Sequence, residues 1–113
     1  MATYTVYQPD LTGDSKAYVT PASGDVFPND GKTVLHVKNA NAGTCTVTIN
    51  SQRPCDQGAD HDIVVVVAAT TGDEIIGPFL PSRFNDGSGN VVVTTYSVTA
   101  SVSVAAIRVP NLA

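Results

Sequence analysis

At 113 residues the chain has room for one hydrophobic core and not two. Its apolar fraction is 42%, but only 14% of its residues are charged against a usual ~25%, and Thr, Ser, Asn and Gly fill the difference. A net charge of −4 with six scattered Lys and Arg argues against nucleic acid or an anionic membrane surface as partner.

No apolar run approaches the ~18 residues of a membrane-spanning helix. The opening Met1-Ala2-Thr3-Tyr4-Thr5 has neither a charged nor an apolar export region, so no signal peptide is expected. Abundant Val and Thr beside a single Glu, one Met and no Trp favour strands over helices, because β-branched side chains suit a pleated, half-buried surface.

Along the chain, Thr3 to Tyr7 has strand character before Pro9-Asp10 and Thr12-Gly13-Asp14 interrupt it. A short piece follows at Ala17 to Thr20, and Gly24 to Gly31 ends in an Asp-Gly turn. Thr33 to Asn39 then alternates, Leu35 and Val37 on one face, His36 and Lys38 on the other. After the turn Asn39 to Gly43, Thr44 to Asn50 alternates as well, with Cys45, Val47 and Ile49 inward. The spacing predicts a β-hairpin from these two strands.

Ser51 to Asp60 reads as a polar loop. Ile63 to Val67 is apolar at every position, as in a strand covered on both faces. Thr70 to Asp73 turns the chain into a short strand Glu74 to Ile76, ended by Gly77-Pro78. Phe79-Leu80-Pro81 is an apolar plug for one end of the fold, and Asn85 to Gly89 is a turn. Asn90 to Ser97 and Ser101 to Val109 read as a second hairpin.

Strands separated by turns about every 8 to 12 residues indicate an all-β fold. The expectation is an antiparallel β-sandwich or jelly-roll-like barrel of seven to eight short strands. It forms one domain over residues 1–113, with 1–23 as a loosely ordered N-terminal arm. From Gly87 to Ile107 there is no charged residue. A free monomer normally guards such strands with charges, so an outer face carrying Val92 or Val91 with Tyr96 is a candidate partner contact.

Chemistry is sparse. Cys55-Asp56 near Asp60-His61-Asp62 lacks an activating cation, an oxyanion nest or a helix N-terminus, so a cysteine nucleophile is not expected. Adjacent residues in an extended chain point in opposite directions, which argues against a metal site at Asp60-His61-Asp62. His36 reads as a surface residue, and the lone Glu74 has no evident catalytic partner. The chain is therefore expected to be no enzyme, with no catalytic, cofactor-binding or metal-binding residues. Cys45 and Cys55 are either two free thiols, the expected state in a reducing cytosol, or a cross-strand disulfide acquired in an oxidising medium.

Gly24-Asp25-Val26-Phe27-Pro28-Asn29-Asp30-Gly31-Lys32-Thr33 runs into Val34-Leu35-His36-Val37-Lys38-Asn39. Later come Ile76-Gly77-Pro78-Phe79, Phe84-Asn85-Asp86 and Gly89-Asn90-Val91-Val92-Val93-Thr94. Together, over roughly Gly24 to Val109, these stretches resemble small β-structured proteins encoded among the structural genes of tailed bacteriophages. The cysteine pair is not part of that pattern. The resemblance implies a virion protein made in the host bacterial cytoplasm and carried on the outer capsid surface. The implied role is capsid decoration, or cement: bridging major capsid subunits, with sister copies as further contacts. Tyr4, Val6 and Tyr7 are then candidates for an arm that orders on docking. The alternatives are a tail or neck accessory protein and a host-facing adhesion or carbohydrate-binding module.

Overall fold

The computed structural model describes residues 2–9, 11–13, 17–52 and 62–109. Among these residues eight strands form two sheets: β1 (Val6–Tyr7), β2 (Val26–Pro28), β3 (Thr33–Asn39), β4 (Cys45–Ile49), β5 (Ile63–Val67), β6 (Gly72–Ile76), β7 (Asn90–Tyr96) and β8 (Val102–Arg108). A single helical turn, α1 (Pro81–Phe84), lies between β6 and β7. One sheet has the order β1-β8-β3-β6 and the other β2-β7-β4-β5. Every pairing is antiparallel except β1 with β8, which is parallel. The chain is an all-β sandwich.

Period-two alternation decides which side chains enter the core. Leu35 and Val37 from β3 and Val104 and Ala106 from β8 face Cys45, Val47 and Ile49 from β4 and Val91 and Val93 from β7, all fully buried. In β7 the alternation is broken on purpose. Its register against β4 slips between Thr48 and Ile49, so that Thr95 pairs with Thr48 but Val93 with Ile49. The extra residue, Thr94, makes a bulge, and its hydroxyl donates to Thr48 O at 3.2 Å. Val91, Val93 and Tyr96 all point inward as a result.

Three sequence-based expectations fail here, for related reasons. The turn at 39–44 does not close a hairpin: β3 and β4 lie in different sheets. Asn39 holds this arch, its side-chain amide donating to Gly43 O, Val67 O and Ala68 O. β7 and β8 likewise belong to opposite sheets rather than to one hairpin. Alternation reveals a strand's inward face, but that face looks the same whether the next strand lies beside it or across the core. β5, expected to be covered on both faces, is an edge strand. Its pairing partner is β4, with Val47 opposite Val65.

The N-terminal segment, expected to be a loose arm, is woven into the structure over its described residues 2–9. Thr3 bridges to Val26 in one sheet, with Tyr4 N donating to Val26 O at 2.8 Å; Val6 and Tyr7 then pair with Ala106 and Ile107 in the other. This strand switches sheets and seals one side of the sandwich. Val19 adds a bridge to Val104 on the same side.

One end of the sandwich is closed by aromatic packing. Phe27, Phe79 and Phe84 form a chain with ring centroids 5.7 and 5.4 Å apart. Phe79 is buried as the expected plug, but Leu80 is exposed and Phe84 of α1 takes its place. Asn29 and Asn85 clamp this end, each donating its amide to the other residue at 2.7 Å. At the opposite end Gly72 is obligatory, since a Cβ there would lie 2.0 Å from Ala68 O.

Candidate interaction surface

The sequence-derived contact residues divide sharply. Tyr4 and Tyr96, expected on a partner-facing surface, are inside, at 5% and 4% exposure. Val6, Tyr7 and Val92 are half-buried. The two phenols are drawn in by Asp25, a buried carboxylate that accepts from Tyr4 Oη at 2.9 Å, from Ala2 N at 2.8 Å and from Ala22 N at 2.8 Å. Tyr4 Oη and Tyr96 Oη share a further hydrogen bond of 2.8 Å. Burial pushes both phenol pKa values well above the usual range, and for Tyr4 the neighbouring Tyr96 and the Asp25 charge add to it.

This network is satisfied internally and offers nothing to a substrate. A cleft of about 200 Å³ borders it, lined by Tyr4, Ala17, Val19, Asp25 and Val104. Both oxygens of Asp25 already accept hydrogen bonds from the chain itself. Among the described residues every buried side-chain nitrogen or oxygen has a partner, and no three His, Cys, Asp or Glu side chains converge on a metal position. Also among them, no helix is long and apolar enough to cross a membrane.

Cys45 is a buried free thiol, its Sγ donating to Val98 O at 3.4 Å. Cys55, Asp60 and His61 lie outside the described residues. Asp62, at the entry to β5, accepts from Ser51 N at 2.9 Å and so anchors the loop to the strand.

The outer faces of the two sheets differ in kind. On the β1-β8-β3-β6 sheet, His36 is held between Tyr18 and Asp73, with its Nδ1 2.5 Å from the tyrosine hydroxyl and its Nε2 2.5 Å from the carboxylate. Lys38 Nζ stands 4.4 Å from the centre of the Tyr18 ring. Partial desolvation, aided by the Asp73 charge, raises the Tyr18 pKa. At the end of the sheet Arg108 bonds to Asp30 and Gln8, and the guanidinium holds the Asp30 carboxyl below its usual range. This cross-linked, charged surface was legible only as an outward His36 and Lys38; Tyr18 and Asp73 join it through pairings distant in sequence.

On the β2-β7-β4-β5 sheet, no strand contains a charged residue. Its outer face presents Thr46 and Thr48 from β4, Val92 from β7, and Val64 and Val66 from β5. The last two are 61% and 58% exposed. The uncharged stretch noted in the sequence contributes only its first strand to this surface. The rest of the neutral face comes from β4 and from the Ile63–Val67 run. Comparison with known protein families, with curated proteins and with solved structures finds no match to this chain.

Proposed function

We propose that this protein is a non-enzymatic structural component of a tailed-phage particle. In this reading it is a capsid decoration protein that binds the outer face of the assembled head and bridges neighbouring major capsid subunits. The observation that carries the binding role is the neutral outer face of the β2-β7-β4-β5 sheet, with Val64 and Val66 exposed on it. Charged residues are depleted from the cores of protein interfaces, because a charge taken out of water needs a partner there. A rigid sheet of Val and Thr loses little side-chain entropy when it is covered, since β-branched residues are already restricted at χ1. The turn and strand-end stretches that resemble phage structural proteins support a capsid lattice as the partner.

Decoration stabilises a shell by linkage: a protein that binds the assembled arrangement better than free subunits shifts the equilibrium toward assembly. Repetition over the lattice turns a modest contact into a large total. Neither step needs a catalytic group, a cofactor or a metal. Residues 2–9 act in this scheme as part of the fold and not as a docking arm, because Tyr4 is already in the core.

The test is the copy number in purified particles, measured by quantitative mass spectrometry against the major capsid subunit. A stoichiometry comparable with that subunit supports decoration. A dozen copies or fewer would move the protein to the neck or tail, and absence from the particle would overturn the virion reading.

A further inference from the structure

Among the described residues the sandwich has four edge strands, and three of them are blunted. β1 is two residues long and followed by Pro9; β2 ends in Pro28 and its free side is taken by Ala2–Tyr4. β6 carries Asp73 and Glu74, and its register places Glu74 opposite Val37, as an inward-leaning charge at an edge. These are the devices by which β proteins prevent edge-to-edge pairing. β5 has none of them. Its five residues are all β-branched and apolar, and no charge follows until Asp73. Among the described residues, nothing outside β4 pairs with its backbone except the Asn39 amide at Val67 O, at the strand's end.

We propose that β5 is a dimerisation strand: two copies of this chain pair β5 with β5 antiparallel about a two-fold axis through Val65, joining their β2-β7-β4-β5 sheets into one continuous sheet. The strand is its own complement. With Val65 on the axis, Val64 lies opposite Val66 of the partner subunit, and Ile63 opposite Val67 of the partner subunit. Asp62 meets Ala68 of the partner subunit and not another carboxylate. Direct cross-strand pairs of β-branched residues are favourable, whereas like charges facing each other are not. Each copy carries −4, so a charge-free strand is where two copies approach at least electrostatic cost. The arrangement is isologous and closes on itself, because pairing consumes the one edge left bare among the described residues.

The free protein tests this independently of any particle, so a monomer would leave the decoration reading standing. Sedimentation equilibrium over a micromolar-to-millimolar series should show twice the chain mass at high concentration. The variant V64K/V66K places lysines opposite lysines and should lower the association constant at least about tenfold, a change of ~1.4 kcal/mol. V64K/V66E places Lys opposite Glu across the axis and should restore dimers at low salt. Both pairs of side chains point to solvent in the monomer, and circular dichroism checks that each variant folds. A wild-type monomer throughout, a trimer, or a dimer indifferent to V64K/V66K would overturn the proposal.

Discussion

The two outer faces of this sandwich are built on the same backbone pattern and treated oppositely by the sequence. Over β3, β6 and β8 the surface is wired together by side chains: Tyr18 to His36, His36 to Asp73, Arg108 to Asp30. Over β4, β5 and β7 it is left smooth, with Thr and Val where solvent-facing strands ordinarily carry Lys or Glu. The first face completes its interactions within one chain. The second has almost none to complete, and its exposed valines lose only water when covered. On the proposed binding role, the two tasks are separated in this way. One face is closed for stability, and the other is open for contact.

Substitutions can break or sharpen that division. The largest stability loss is expected at Asp25, which ties Ala2, Ala22 and Tyr4 together, with Tyr96 joining through the Tyr4 hydroxyl. Asp25→Ala leaves Ala2 N, Ala22 N and Tyr4 Oη without their acceptor and should cost about 2–4 kcal/mol in urea unfolding. A loss under ~1 kcal/mol would mean that residues 2–9 are not integral to the fold.

Alkali probes the same core. The phenol pKa values of Tyr4 and Tyr96 are raised in the folded state, so the unfolded chain releases those protons first, near pH 10. The sign follows: their contribution is fully present below pH ~10 and lost as pH rises toward the folded values. The slope should reach about 1.4 kcal/mol per pH unit for each buried phenol. Chemical denaturation at a series of alkaline pH values measures it, and Tyr96→Phe should make it shallower.

Smaller effects separate the faces themselves. His36→Ala removes the link between Tyr18 and Asp73 and should cost about 0.5–1.5 kcal/mol by thermal unfolding. Thr46→Lys with Thr48→Lys, on the smooth face, should change stability by only about 0.5 kcal/mol, because both side chains stand away from the core. Equal costs on the two faces would erase the distinction.

How far the sequence foretells all this depends on the kind of question. The bounds of β3 and the inward sets Leu35–Val37 and Cys45–Val47–Ile49 follow from alternation alone, since period two fixes the face. Neighbours do not follow, which is why two expected hairpins proved to be arches between sheets. Ile63–Val67 looks like a doubly covered strand because an unbroken apolar run carries no alternation to mark which face is packed, and Val64 and Val66 are in fact exposed. Tyr4 and Tyr96 looked like contact residues for want of one fact, the buried Asp25 beside the Gly24 turn, and a carboxylate next to a turn glycine ordinarily signals nothing more than the turn. Tyr96 was further concealed by the bulge at Thr94, which inverts the parity of the strand around it.

The account rests on the smooth face being the one that meets the capsid. The direct measurement is occupancy on capsids stripped of this protein, comparing wild type with T46K/T48K on the neutral face and K38E on the wired face. Occupancy should fall at least about tenfold for T46K/T48K, as expected when charges enter an interface core, and stay near wild type for K38E. The reverse order, or equal binding by all three, would contradict it.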